Sequence, residues 1–169
     1  MRKKILIVIT GSIAAYKALY LIRKLKEKDF FINVIMTNSA KKFITPLSVS
    51  SLSEKRVYEN LFDLTEETEM GHIKLAKMHD LIIVMPASAN FMAKVSNGYA
   101  DDLATTVLLA SNKDILLVPA MNVRMWLHKA TQRNFKILQD YGYYFIGPEK
   151  GEMACGEFGL GRMAEPIEI

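Results

Sequence analysis

Five short segments of continuous hydrophobicity occur in the first 146 residues of the chain. They run from Lys4 to Thr10, from Phe31 to Thr37, from Asp80 to Met85, from Asp114 to Pro119 and from Tyr143 to Ile146. Strands that cover only one face of a sheet alternate apolar and polar residues, whereas strands buried on both faces are apolar throughout. These segments, rich in Ile and Val, therefore predict the strands of a sheet with helices on both sides.

Helical patterns separate the predicted strands. After Gly11 and Ser12, apolar residues recur at helical spacing from Ile13 to Leu25 and leave three lysines for the outer face. Other helical patterns run from Ala89 to Val95, from Asp102 to Ser111 and from Thr131 to Tyr141. Strands and helices that alternate in this way form parallel sheets through right-handed crossovers. We therefore predict an α/β fold, a Rossmann-like or flavodoxin-like doubly wound parallel sheet in three αβα layers, with residues 1–169 in a single domain.

Composition narrows the class of protein. Half of the 169 residues are apolar, and the only cysteine, Cys155, has no partner for an internal disulfide, so we expect a cytoplasmic protein. The apolar run near the N-terminus is too short to cross a bilayer and lacks a signal-peptide cleavage site, so we expect no membrane association. The net charge of +4 comes from dispersed lysines without interleaved aromatic residues, so we expect no nucleic-acid partner.

Four loops of the predicted sheet have an unusual composition. Each follows a predicted strand, and ligands of doubly wound folds bind beyond the carboxyl ends of the strands. Helix capping is the alternative explanation for the polar residues of these loops, and burial in the core is the alternative for the methionines. The loops contain Gly11, Ser12 and Ile13, then Thr37, Asn38 and Ser39, then Ser88, Ala89, Asn90 and Phe91, and finally Ala120, Met121, Asn122 and Met125.

The first of these loops favours a mononucleotide ligand. A helix that starts directly after a strand offers unpaired N–H groups and the positive end of its dipole to a phosphate. The chain contains neither G-x-G-x-x-G after its first strand nor G-x-x-x-x-G-K-[ST], so the usual signatures of dinucleotides and nucleoside triphosphates are missing. We expect no metal site.

The segments GSIAAYK, PASAN, NGYADDL, PAMNVRMW and ACGEFGLGRMAEP occur in the order found in a known family. In these segments, and over nearly its whole length, the chain resembles the homo-oligomeric flavin-containing cysteine decarboxylases. The resemblance implies FMN as the cofactor. At Phe91, where the family commonly has threonine, it supports a backbone contact to the flavin without a hydroxyl contact. The implied FMN site consists of Gly11, Ser12, Ile13, Thr37, Asn38, Ser39, Ser88, Ala89, Asn90, Phe91, Ala120 and Met121.

The resemblance also implies catalytic roles. His72, in GHIKL, matches the active-site histidine of the family, and Cys155 matches the acid of the reductive half-reaction. Residues 148–166 would form a C-terminal substrate-clamp loop that closes over the substrate, and its glycines would let the loop move. Asn122 matches the residue that contacts the substrate carboxylate. The implied substrate-binding residues are Asn122, Met125, Ala154 and Gly156.

These residue types suit the loss of CO₂ from a cysteine derivative. Decarboxylation needs an electron sink, which FMN can create by oxidising the CH₂–SH group to a thioaldehyde. His72 can accept the thiol proton, and Cys155 can protonate carbon when hydride returns to the resulting enethiolate. The resemblance thus implies FMN-dependent decarboxylation of 4'-phospho-N-pantothenoyl-L-cysteine to 4'-phosphopantetheine in coenzyme A biosynthesis. From charge alone, Arg162 and Lys150 are candidates for contacting the substrate phosphate.

Alternatives remain within the same family. Oxidative decarboxylases of a peptide C-terminal cysteine, of the lantibiotic type, stop at the enethiol and do not need Cys155. Flavin prenyltransferases lack the clamp segment. Non-enzymatic flavin-binding subunits that regulate phosphatases carry long acidic extensions, which we do not expect here. The family assembles as homotrimers or dodecamers, and the sequence fits either a stand-alone enzyme or one half of a bifunctional protein.

Overall fold

A computed structural model describes residues 2–62 and 71–169. Its strands are β1 (Lys4–Ile9), β2 (Phe31–Met36), β3 (Val57–Tyr58), β4 (Leu81–Ala87), β5 (Asp114–Pro119), β6 (Tyr144–Phe145), β7 (Glu149–Glu152) and β8 (Phe158–Arg162). The first six form one sheet in the order β3-β2-β1-β4-β5-β6, and every neighbouring pair is parallel. Strands β7 and β8 form a separate antiparallel hairpin.

Seven α-helices surround the main sheet in the described part of the chain. They are α1 (Tyr16–Glu27), α2 (Pro46–Ser53), α3 (Gly71–Met78), α4 (Ala89–Ser96), α5 (Leu103–Leu109), α6 (Val123–Leu127) and α7 (Lys129–Asp140). Short 3₁₀ helices cover Ile13–Ala15, Ala40–Lys42 and Pro166–Glu168. None of the helices within residues 2–62 and 71–169 is long and apolar enough to cross a bilayer.

The central strand β1 explains why the sheet is apolar on both faces. Ile5, Ile7 and Ile9 pack into one core with residues of α1 and α2, whereas Leu6 and Val8 pack into a second core with α3, α4, α5 and α7. All five side chains are buried, and each such burial contributes about 1.5–3 kcal/mol to folding. The predicted doubly wound fold in three layers is therefore confirmed.

The five predicted strands are all present, but several elements were not predicted. Strand β3 has two residues, too few for a pattern, and the serine-rich α2 lacks a clear apolar stripe. Residues at its N-terminus favour helix α2 instead: the Thr45 side chain accepts a hydrogen bond from the Ser48 N–H, and Pro46 occupies the first turn. Helix α3 and the β7–β8 hairpin were also missed.

The segment 148–166, expected to be a clamp loop, contains the β7–β8 hairpin. The pattern of β8 was hidden because Gly159 and Gly161 alternate with Phe158 and Leu160. The structure gives these glycines a packing role. A Cβ atom at Gly159 would lie 2.9 Å from a Val123 methyl group, so β8 can lie against α6 only without side chains on that face. We call residues 149–162 the cysteine hairpin, because its turn carries Cys155.

Candidate functional site

Two adjoining cavities lie at the carboxyl edge of the main sheet. The larger has a volume of about 560 Å³ and the smaller about 260 Å³. Their walls come from loops that follow β1, β2, β4 and β5, which we call the edge loops (residues 10–15, 37–39, 86–91 and 119–122). The larger cavity is also lined by the cysteine hairpin. Both cavities are lined by Gly11, Ser39, Ser88 and Asn90.

The first edge loop approaches the second very closely. A Cβ atom on Gly11 would lie 2.5 Å from the Ser39 Cβ, so a side chain at this position would push the two loops apart. Ser12 caps the following 3₁₀ helix, since its hydroxyl accepts a hydrogen bond from the Ala14 N–H at 3.2 Å. The predicted cap is therefore real, and Ser12 also lines the larger cavity. A helix start in this position suits an anionic group.

The edge loops after β4 and β5 use the same device. The Ser88 hydroxyl accepts from the Phe91 N–H at 3.2 Å, and Asn122 Oδ1 accepts from the Met125 N–H at 2.8 Å. Because the Asn122 cap uses the carbonyl oxygen, the NH₂ group of the amide is the part that can serve an anion. Phe91 is 3% exposed, and its ring packs in the core. Where the family commonly has a threonine hydroxyl, this chain therefore has a buried apolar ring.

The turn of the cysteine hairpin places the thiol at the larger cavity. The Gly156 N–H donates to the Met153 carbonyl, and the Met153 N–H donates to the Glu157 carbonyl, both at 2.9 Å. Gly156 has φ +79°, a backbone conformation that favours glycine. Cys155 is exposed, and its Sγ lies 3.8 Å from Glu157 Oε2, to which the thiol donates.

Two cations line the larger cavity, Lys17 of α1 and Arg162 at the end of the cysteine hairpin. Glu165 Oε1 accepts hydrogen bonds from Lys17 Nζ at 2.7 Å and from Arg162 Nη2 at 2.6 Å. These bonds, from Lys17 first and then Arg162, lower the pKa of Glu165, and the bond to Glu165 raises the pKa of Arg162. Lys150 does not line the cavity and lies instead over the Phe158 ring, with Nζ 5.6 Å from its centroid.

Most of the predicted site residues come together, but His72 and Gly156 line neither cavity. His72 is the second residue of α3 and is half-buried. Since α3 leads into the parallel strand β4, it begins at the carboxyl edge, the same edge as the cavities. The remaining predicted residues line one or both cavities: Gly11, Ser12, Ile13, Thr37, Asn38, Ser39, Ser88, Ala89, Asn90, Phe91, Ala120, Met121, Asn122, Met125, Ala154 and Cys155.

The other two histidines have structural contacts. His79 is buried; its Nε2 lies 3.1 Å from Asn33 Nδ2 and its Nδ1 lies 2.8 Å from the Leu75 carbonyl, and burial lowers its pKa. His128 caps α7, because Nδ1 accepts from the Ala130 N–H at 3.1 Å. Within residues 2–62 and 71–169, no cluster of three or more His, Cys, Asp or Glu side chains could hold a metal ion.

Sequence reasoning missed several residues that line the cavities. Lys17 was assigned to the outer face of its helix, yet its side chain is only 13% exposed, because the helix begins beside the cavity. Lys94 binds both carboxylate oxygens of Asp101, at 2.7 and 2.9 Å, in the wall of the smaller cavity. The NGYADDL segment that contains Asp101 was noticed as a motif, and its position after α4 was the available signal.

Comparisons with known proteins agree with this architecture. A coenzyme A biosynthesis bifunctional protein CoaBC from Vibrio cholerae is 46% identical over 167 residues, covering 99% of this chain and 42% of that protein. The chain therefore spans about two fifths of the length of the curated relatives it matches.

Solved structures of decarboxylases have a similar fold. A PPC decarboxylase variant in complex with pantothenoylaminoethenethiol is 28% identical, with a TM-score of 0.86 over 99% of this chain and 94% of that one. Peptidyl-cysteine decarboxylase EpiD is 29% identical, with a TM-score of 0.83 over 99% of this chain and 95% of that one. The family model described as Flavoprotein matches residues 1–169, so the chain belongs to the Flavoprotein family.

Proposed function

We propose that this chain is an FMN-dependent decarboxylase that converts 4'-phospho-N-pantothenoyl-L-cysteine to 4'-phosphopantetheine in coenzyme A biosynthesis. The observation that carries the proposal is that Asn122 and Cys155 line the same cavity as Gly11 and Ser12. A carboxylate-binding amide, a proton donor and an anion-binding helix start thus share one space. The names of the CoaBC relative and of the PPC decarboxylase structure support the same reaction.

The residues present fit FMN. The edge loops offer a helix start for a phosphate, small side chains for close approach, and hydroxyl and amide groups for a ribityl chain. Gly11 lets the first and second edge loops lie close together, because a Cβ atom there would lie 2.5 Å from the Ser39 Cβ. When bound, FMN supplies the two-electron chemistry that the loss of CO₂ requires. The residues that would hold it include the four that line both cavities, Gly11, Ser39, Ser88 and Asn90.

Asn122 is the proposed partner of the substrate carboxylate. Its side chain is oriented by the 2.8 Å bond from the Met125 N–H. The remaining NH₂ group can hold a carboxylate by hydrogen bonds without the strong stabilisation that an arginine would give. This matters because tight binding of the anionic ground state would oppose its decarboxylation.

Cys155 is the proposed proton donor to carbon in the second half of the reaction. The thiol sits on the hairpin turn at the cavity wall, where it donates to Glu157 Oε2. Because the thiol is exposed, we propose that the hairpin closes over the substrate before the proton is transferred.

His72 is the proposed base for the substrate thiol, and we propose that it acts across a subunit contact of a homotrimer or dodecamer. In its own chain His72 lines neither cavity, although it lies at the same edge of the sheet. Ile13 and Tyr16, which line the larger cavity, expose 62% and 58% of their surfaces, and Tyr20, one turn further along α1, exposes 49%; an assembly would cover these side chains. We also propose a cytoplasmic location, supported by the single free thiol.

The decisive test is direct. The purified protein is incubated with FMN and 4'-phosphopantothenoylcysteine, and CO₂ and product mass are measured. We expect a yellow protein with a flavin spectrum and a product lighter than the substrate by one CO₂. Absence of CO₂ release from the FMN-loaded protein would contradict the proposal. Light scattering that reports a monomer would contradict the shared site.

The similarity to EpiD supports a second candidate, oxidative decarboxylation of a peptide C-terminal cysteine. That reaction stops at the enethiol, so its product is lighter by CO₂ and two hydrogen atoms. The position of Cys155 at the cavity favours the first proposal, because the oxidative reaction has no use for a proton donor there. Product mass distinguishes the two.

A further inference from the structure

A single buried hydroxyl joins the ends of two central strands. Thr10 is the first residue after β1 and is 2% exposed. Its Oγ1 donates to the Pro86 carbonyl at 2.5 Å and accepts from the Ser88 N–H at 3.0 Å. The hydroxyl therefore uses its donor and one of its acceptor sites on a segment more than 70 positions away in the sequence.

This contact stands where the backbone pairing ends. The parallel pairing of β1 with β4 runs from Ile5–Leu81 to Val8–Val84 and stops there. Proline has no N–H group, so Pro86 has no donor with which to continue a ladder. The Thr10 side chain supplies the next connection between the strands.

The joined segments lead directly into the walls of both cavities. Gly11 follows Thr10, and Ser88 and Asn90 follow Pro86; all three residues line both cavities. Other connections between edge loops are made differently, as in the 3.1 Å backbone bond from the Ala120 N–H to the Ala87 carbonyl. The Thr10 hydroxyl thus links the first and third edge loops directly, beside the core packing of Ala15 and Met85.

We infer that Thr10 is a positioning residue for FMN: its hydroxyl holds the Gly11 loop and the Ser88 loop at the separation that the cofactor requires. This inference rests on the proposed function for the identity of the ligand. Without the hydroxyl, the Pro86 carbonyl and the Ser88 N–H lose their partner in a buried place, and the loops relax to find other partners. FMN must then restore the original spacing when it binds.

The test uses flavin-free protein and three variants. Thr10→Val keeps the shape and removes the hydroxyl, Thr10→Ser keeps the hydroxyl, and Thr131→Val makes the same substitution at a buried threonine of α7. Binding of FMN is measured by quenching of flavin fluorescence. We expect roughly 10- to 100-fold weaker binding for Thr10→Val, the range given by an unpaired buried polar group, and affinities within about threefold of wild type for Thr10→Ser and Thr131→Val.

A second measurement does not depend on FMN. Amide hydrogen exchange at Ser88 is followed in the flavin-free proteins, and we expect faster exchange in Thr10→Val only. If wild-type protein binds no FMN, the proposed function fails while the exchange result still tests the Thr10 contact. If Thr10→Val does not fold, Thr10→Cys, a weaker donor and acceptor, replaces it. Unchanged FMN affinity in the folded valine variant, or equal affinities of the serine and cysteine variants, would overturn the inference.

Discussion

The two walls of the larger cavity are held in different ways. The edge loops leave central strands of the sheet, and their contacts are buried hydroxyl and backbone hydrogen bonds, such as those of Thr10. The cysteine hairpin has only two strands, and its contacts with the body include the ion pairs of Arg162 and Lys17 with Glu165 and a 3.0 Å backbone bond from the Met121 N–H to the Gly161 carbonyl. The Arg162–Glu165 pair is exposed and contributes little, the Lys17–Glu165 pair is partly buried, and a two-stranded hairpin has little stability of its own.

This difference matches the needs of the proposed reaction. A cofactor must keep one position through the whole cycle, whereas a proton donor must move away so that substrate can enter and product can leave. We therefore expect changes in the edge loops to affect cofactor binding. Changes in the hairpin should affect the later steps and leave the cofactor in place.

The largest expected effect comes from the thiol. Cys155→Ser should still release CO₂ but should accumulate the oxidised enethiol, because the proton donor for the reductive step is lost. We expect formation of the saturated thiol to fall by about 10²- to 10⁴-fold. Mass spectrometry of the product measures this, and FMN affinity serves as the control. A variant that makes the saturated thiol at the wild-type rate would remove Cys155 from the proposed mechanism.

The next effect compares two glycines, one in the first edge loop and one in the turn of the cysteine hairpin. Gly11→Ala places a methyl group against Ser39, and we expect FMN binding to weaken by roughly 10- to 100-fold, the cost of overpacking. Gly156→Ala strains the hairpin turn at φ +79° but meets open space. Its FMN affinity should match wild type while turnover falls. Equal losses of FMN affinity in both variants would contradict the division of the cavity into two walls.

A smaller effect is expected at the ion pairs. Glu165→Gln removes the charge that holds Lys17 and Arg162 beside the cavity. We expect roughly a two- to fivefold rise in KM and no change in FMN affinity, since partly exposed ion pairs contribute little. Steady-state kinetics at low and high salt provide the check: wild-type KM should rise with salt, and KM of the variant should not. A salt response of the same size in both would exclude this role.

The smallest expected effect is on the pH dependence of the stability of the fold, through His79. Burial lowers the pKa of His79, so the unfolded chain takes up this proton at a higher pH than the folded chain. The stabilisation is complete above the ordinary value of 6.5 and is lost as the pH falls toward the lowered pKa. His79→Gln should flatten the decrease of the thermal midpoint between pH 7 and pH 5, by a few °C at most. An unchanged slope would show that His79 does not contribute.

Glu165, which forms ion pairs with Lys17 and Arg162, responds differently to acid. Its pKa is lowered by Lys17 and Arg162, so the ion pairs persist below the ordinary carboxyl value of 4.5. Mild acid should therefore weaken the body of the domain before it releases the hairpin.

The sequence was a good guide where one local pattern decides the structure. Strands β1, β2, β4 and β5 were predicted because long runs of Ile and Val must be buried on both faces. Asn122 was predicted to be a site residue because a polar side chain among methionines is unusual in a core. It lies in the wall of the larger cavity. The cap of Ser12 was foreseen as an alternative to ligand contact; the Ser12 hydroxyl makes this cap, and Ser12 also lines the larger cavity.

The sequence was a poor guide where distant residues meet. Lys17 is held by Glu165, which lies 148 positions later, and no local pattern links them. Thr10 looked like the end of a strand, because its partners at Pro86 and Ser88 follow a different strand. The hairpin was read as a flexible loop because its glycines have no side chains to reveal a strand. In each case the missing information is a contact between separate elements.

The glycines of β8 have one more consequence for the hairpin. Its face toward α6 and Met121 presents backbone at positions 159 and 161, so no side chain interlocks with the body there. If the hairpin opens as proposed, the bond from the Met121 N–H to the Gly161 carbonyl must break, but no side chain at positions 159 and 161 has to change rotamer. Opening would then separate β8 from α6 along a backbone surface without interlocking side chains. We expect the energy surface along this path to have few local minima.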